Sequence, residues 1–177
     1  VVTLALISLL FPRIGAEFFP AVEARQLQLR LRAPTGTRIE RTEVMALKAM
    51  EVIKAAVGSD NVEITTGFIG VQPPSYPINT IFLFTSGQHE AVLGVALKPV
   101  APPVNEALKE TLRQKLKSAL PNVSVSFEAA DIISQVMSFG SPTPIEVAVQ
   151  GPSLPDNRSF AEKLRGELEK VSSLRDL

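Results

Sequence analysis

The sequence contains no cysteine, no tryptophan, one histidine (His89) and one tyrosine, and eighteen basic residues balance eighteen acidic ones over 177 positions. Without cysteine there is no thiolate nucleophile, no disulfide and no thiolate zinc site, and a single histidine cannot supply a multi-histidine metal centre. A chain without thiols is also indifferent to redox poise, so this absence does not locate the protein. The balanced charge gives no net field to recruit a polyanion, which removes nucleic acid as a partner. There is no glycine-rich phosphate loop and no carboxylate pair at a recognisable catalytic spacing, so the residues assemble no enzyme constellation and call for no cofactor. Long hydrophobic runs are missing as well. Residues 1–11 carry no charge and only Thr3 and Ser8 are polar, before Pro12 and Arg13. A bilayer span needs about 20 apolar residues, and a signal peptide needs an initial basic region. The run therefore reads as the last third of a membrane helix, with Pro12, Arg13, Phe18 and Phe19 at the interface; a buried N-terminal strand is the alternative.

What is present is a sequence of periodic segments. Leu27, Leu29 and Leu31 alternate with Gln28, Arg30 and Arg32, the period-two signature of a strand with one face buried and one polar face toward water or a cleft. After Pro34, Thr35 and Gly36, Thr37 and Glu40 have the spacing of a capping box, which predicts a helix starting there. Ile39, Ala46, Met50, Ile53 and Val57 supply its apolar stripe and Gly58 ends it; Met45 and Met50 read as core residues. Residues 61–66 form a second strand. Gly67, Phe68, Ile69 and Gly70, followed by Pro73, Pro74 and Pro77, read as a long loop stiffened at one end. Residues 81–84 and 91–98 are β segments around Ser86 to His89, either a hairpin tip or a bulged extended strand, with His89 a solvated turn residue.

Pro99, Pro102 and Pro103 precede a second helix over 104–119, in which Val104, Leu108, Leu112, Leu116 and Leu120 recur every four residues. Pro121 stops it, and residues 122–127 alternate Val123, Val125 and Phe127 against Ser124 and Ser126. The order strand, helix, strand, strand, helix, strand predicts an α+β, ferredoxin-like split βαβ sandwich with both helices on one face of an antiparallel sheet. A further strand over 145–150 and a helix striped by Phe160, Leu164, Leu168 and Val171 restart the motif. The expected organisation is a lead-in over 1–25, one βαββαβ unit over 26–128, a linker over 129–144 and the start of a second unit over 145–177.

Three stretches go beyond architecture: Phe18-Phe19-Pro20, the run QLRLRAPTGTRIERTE from Gln28, and the run SFGSPTPIEVAVQG from Ser138. In this order and spacing they resemble the second periplasmic half of resistance-nodulation-division efflux pumps, from the end of the seventh membrane helix through the third porter subdomain to the start of the fourth. The resemblance covers essentially the whole chain. It implies a proton-driven, trimeric inner-membrane pump with a periplasmic adaptor and an outer-membrane channel as partners, this segment lying on the periplasmic side. It further implies a substrate cleft between the two porter subdomains, lined by Gln28, Arg30, Arg32, Phe68, Phe82 and Phe127. A gate loop over 67–76 would use Gly67 and Gly70 as its flexible base and Pro73 and Pro74 as its stiff arm. Phe127 also shares its strand face with Val123 and Val125, so alternation gives it a core role beside the cleft role. A metal-exporting branch of the same family uses clustered methionines, because soft thioethers suit Cu(I). Met45, Met50 and Met137 form no such cluster in sequence, which directs the expectation toward hydrophobic or amphiphilic organic compounds. A freestanding ferredoxin-like small-ligand module is the reading from a different class. An RNA-binding sheet would need exposed aromatics among its basic residues, where only Arg30 and Arg32 stand.

Overall fold

A computed structural model describes residues 25–71, 85–130 and 145–176. The readings made for residues 1–24, for Pro73, Pro74, Tyr76 and Pro77, for residues 81–84 including Phe82, and for Met137 lie outside the described residues.

Strand β1 (Gln26–Arg32) carries the alternating leucines into the core: Leu27, Leu29 and Leu31 are buried. Helix α1 (Ile39–Val57) follows, then a single 3-10 turn (Ser59–Asn61), β2 (Val62–Ile69), β3 (Glu90–Leu97), α2 (Glu106–Ala119), β4 (Ser124–Glu128) and α3 (Leu154–Leu168). The sheet order is β2-β3-β1-β4, every neighbouring pair antiparallel. Ala46, Ala49 and Ile53 of α1 and Leu112 and Leu116 of α2 join one cluster with Leu27, Leu29, Leu31, Leu93, Val95 and Leu97. Both helices therefore cover the same face of the sheet, as the split βαβ pattern predicts. Each fully buried leucine or isoleucine of that cluster contributes about 1.5–3 kcal/mol of burial free energy.

The local departures have identifiable causes. The capping box does not form: α1 begins one residue later than the Thr37 to Glu40 spacing requires, its N-cap Arg38 offers no side-chain bond, and the Thr37 hydroxyl donates to the Pro34 carbonyl at 2.6 Å. The buried stripe of α1 is Thr42, Ala46, Ala49 and Ile53, so Ile39 is largely exposed and Met45, Met50 and Val57 flank the core. Alanines at 46 and 49 let the helix approach the sheet, and Thr42 is accommodated because its hydroxyl donates to the Arg38 carbonyl. Helix α2 keeps its predicted stripe. It starts at Glu106 because the Asn105 side chain accepts from the Leu108 amide at 2.8 Å.

Two larger expectations are corrected. Gly67, Phe68 and Ile69 are not loop: they continue β2 opposite Leu93, Val92 and Ala91. A complete antiparallel ladder outweighs the low strand propensity of one glycine, a matter of about 1 kcal/mol. Residues 145–150 form no ladder among the described residues. In α3 Leu164 and Leu168 are half-buried while Phe160 and Val171 are exposed, so the apolar stripe there is only partly covered.

Candidate functional site

The face of the sheet opposite the helices is divided by chemistry. On the β2–β3 side it presents Ile64, Thr66 and Phe68 beside Val92, Gly94 and Ala96. On the β1–β4 side it presents Gln28, Arg30 and Arg32 beside Ser124, Ser126 and Glu128. Glu90 faces Arg32 across the β1–β3 ladder. Register thus assembles an ion-pair array from three strands. Arg30 directs Nε to Glu128 Oε1 and Nη2 to Glu128 Oε2 at 3.4 Å, and its Nη1 lies 3.8 Å from Glu90 Oε2. Arg32 Nε donates to Glu90 Oε1 at 2.7 Å, and Gln28 Nε2 donates to Glu128 Oε2 at 3.0 Å.

Glu90 is buried, and burial alone would raise its pKa; the amide and hydroxyl of Ser86 and the Arg32 guanidinium more than offset this, holding it below its ordinary value. His89, expected as a solvated turn residue, is half-buried instead, with Nε2 4.0 Å from Glu90 Oε1. Neither Glu90 nor Glu128 was found by sequence reasoning. Glu128 extends the Ser124, Ser126 alternation and could have been placed on the polar face by parity; Glu90 could not, because its partner is fixed only by the β1–β3 register.

Of the expected cleft residues, Gln28, Arg30, Arg32 and Phe68 share this open face, with Phe68 partly exposed. Phe127 does not. It lies opposite Leu29, on the helix-covered side, packed against the core under the Arg113 guanidinium at 5.1 Å from its ring centroid. The gate-loop base divides too: Gly67 is a paired strand residue, whereas Gly70 ends β2 with φ of 74° and donates its amide to the Glu90 carbonyl.

Around the β4 edge lies a cavity of about 750 Å³. Val104 and Arg113 form its helix-side wall, Phe127 its floor, and Ile145, Leu164 and Asp176 the opposite wall; Gln28 and Glu128 line it as well, so it opens onto the charged half of the sheet face. Asp176 closes one end. Its carboxylate accepts from Arg113 Nε and Nη2, both at 3.0 Å, and from the Phe127 amide at 3.1 Å. Desolvation works against the Arg113 charge, but the hydrogen bond and charge of Asp176 prevail and raise its pKa. Every buried polar side-chain atom among the described residues is satisfied, and the carboxylates of the array are engaged by arginines.

The α+β split βαβ sandwich, with both helices on one face of a four-stranded antiparallel sheet, is consistent with a porter-subdomain fold. The family model described as AcrB/AcrD/AcrF family matches residues 1–177, and the chain belongs to that family of resistance-nodulation-division transporters. Two solved structures, both described as X-ray crystal structures of a heavy metal efflux pump, are similar in fold. For crystal form II the TM-score is 0.71 at 21% identity, over 99% of this chain and 18% of that chain. For crystal form I it is 0.70 at 22% identity, over 97% and 17%. The chain thus spans less than a fifth of the length of the structures it resembles. No curated protein matches it. No helix among the described residues is long and apolar enough to cross a membrane.

Proposed function

We propose that this chain is the periplasmic substrate-handling segment of a proton-driven inner-membrane efflux pump, and that the cavity beside β4 is part of its substrate cleft. The observation that carries this reading is the continuity of the cavity with the open sheet face through Gln28 and Glu128, so that an apolar wall and a charged face adjoin one another. Such a lining suits compounds with an apolar body and a polar group. The pump works as a homotrimer with a periplasmic adaptor and an outer-membrane channel, and it exports hydrophobic or amphiphilic organic molecules. Phe127 and Leu164 contribute to the cleft through the cavity, while Gln28, Arg30, Arg32 and Phe68 contribute through the sheet face. Within the expected gate region, Gly70 is the hinge and Gly67 is part of the frame.

Metal export is the second reading, favoured by the description of both matched structures as a heavy metal efflux pump. Soft-metal export needs clustered thioethers in the cleft, whereas Met45 and Met50 pack against the hydrophobic core from α1. One experiment separates the two readings. With any cysteines elsewhere in the complete pump first replaced, Ala161→Cys introduces a single reactive thiol at the cavity wall. A bulky maleimide attached there in the assembled pump is expected to stop export of a lipophilic dye. Unchanged dye export after complete labelling would remove the cavity from the route, and protection of growth against metal salts but not dyes would favour the second reading.

A further inference from the structure

The ion-pair array on the open face sums to zero charge, two arginines against two glutamates, yet it is not neutral toward an approaching ligand. The side chains of Arg30, Glu90 and Glu128 are 8%, 1% and 4% exposed, while that of Arg32 is 59% exposed. Both carboxylates lie beneath the surface, and Glu90 is already engaged by the Ser86 amide, the Ser86 hydroxyl and Arg32. A cationic ligand would find neither carboxylate of this array exposed. Arg32 commits only Nε, to Glu90; its two terminal amino groups have no partner among the described residues. They are a preformed fork of donors, held by the Glu90 bond in one orientation and therefore cheap in conformational entropy to engage.

The other half of the same face supplies the complement. Phe68, Val92 and Arg30 stand in one row across β2, β3 and β1, and Arg32 lies two residues further along β1, so Phe68 is two strands across and two residues along from Arg32. With about 4.8 Å between neighbouring strands and about 3.4 Å of rise per residue, that separation is about 12 Å. Phe68 and Ile64 are the exposed apolar side chains of this half.

We infer that Arg32 is the specificity-determining residue of this face, and that the face takes organic anions with an apolar body: a carboxylate or sulfate head on the Arg32 guanidinium, about 12 Å from a hydrocarbon or aromatic body laid on Phe68 and Ile64. Arg30 is not a ligand group; it neutralises Glu128 and Glu90 and sets the frame on which Arg32 stands. The inference rests on the cleft reading above and names its substrate class.

The test uses the complete pump reconstituted in liposomes, with two probes of equal apolar body, pyrenedecanoate and a pyrenedecyl-trimethylammonium salt. Arg32→Gln is expected to lower pyrenedecanoate export about tenfold, the order of effect of one lost charge-assisted hydrogen bond. Export of the ammonium probe should stay at the parent rate, which also shows that the variant is folded and assembled. Arg32→Lys, which keeps the charge but loses the fork, should fall between. Equal loss of both probes, or no loss of the anion, overturns the assignment of Arg32. A parent pump that exports the ammonium probe and not the anion overturns the substrate class while leaving the cleft reading intact. A parent that exports neither amphiphile overturns both.

Discussion

The Arg30–Glu128 pair provides a direct measure of how much the open face depends on its buried charges. Both side chains are almost fully buried, and the guanidinium reaches the carboxylate with two of its N–H groups. Removing one partner from such a pair costs about 3–5 kcal/mol, because it leaves an uncompensated charge out of water. In Glu128→Leu the loss is held toward the lower end, since Glu90 remains 3.8 Å from Arg30 Nη1. A cost of about 3 kcal/mol in a chain of this length lowers the midpoint of thermal unfolding by about 6–12 °C. Arg30→Met should cost as much, because Glu128 then keeps only the Gln28 amide among these contacts. The double variant Arg30→Met/Glu128→Leu should cost about 3–4 kcal/mol, well short of the sum of the two single losses, since two apolar groups replace two mutually dependent charges. Denaturant unfolding of all four proteins closes the cycle, with an expected coupling of about 2–3 kcal/mol. The Arg158–Glu162 pair on α3 is the internal control: its 3.1 Å distance is that of a good salt bridge, but both side chains are well exposed, and such pairs couple by about 0.5 kcal/mol or less. A coupling at Arg30–Glu128 no larger than at Arg158–Glu162 would refute the claim that burial, not distance, sets the strength of the array.

Three further outcomes are expected. Glu90 has a folded-state pKa below its ordinary value of 4.5, so the stability it contributes is complete above about pH 4.5 and is lost as pH falls through the lower folded value; acid titration of stability should be flatter in Glu90→Gln than in the parent over that window. Gly70→Ala should destabilise the chain by about 1–2 kcal/mol, because its φ is positive and a Cβ would meet Ile39 Cδ1 at 2.9 Å, whereas Gly67→Ala, with only Leu93 Cδ2 at 3.4 Å, should stay within about 0.5 kcal/mol; equal effects in denaturant unfolding would contradict the division of the two glycines between hinge and frame. Asp176→Asn should speed hydrogen exchange of the Phe127 amide with little change at the β1–β3 ladder, because that amide points out of the sheet edge and Asp176 is its acceptor.

What could be read in the sequence was what depends on period and order. The leucines of β1, the four-residue stripe of α2 and the succession of elements define the sheet and its helix-covered face, because these signals are local and repeated. What could not be read depends on one residue of register or on pairing across the chain. Thr37 lost its capping role to a one-residue shift of the helix start. Gly67 looked like a loop by its type and was a strand residue by its partner, Leu93. Glu90 became part of the site through Arg32, 58 residues away in sequence. The polar face of β1 was legible from alternation, but the distinction that matters for recognition, Arg30 sequestered and Arg32 presented, arises only when Glu128 arrives on β4.

Asp176 shows how the cavity and the sheet edge are mechanically one feature. Strand β4 is an edge strand, and an unpaired N–H on such an edge must be satisfied by water, by another chain or by a local acceptor. Here one carboxylate satisfies the Phe127 amide and simultaneously receives a two-pronged guanidinium that also lies over the Phe127 ring. Residues 173–176 therefore cannot leave the β4 edge by sliding. Their departure breaks three hydrogen bonds, strips Arg113 of its closest carboxylate and uncovers the edge at the floor of the cavity. The Asp176 backbone itself sits at φ of 59°, a conformation that an aspartate tolerates and most residues resist, so the carboxylate is placed by a turn that does not form equally well with other side chains. Behind it β1 is paired on both sides and its leucines lie under two helices.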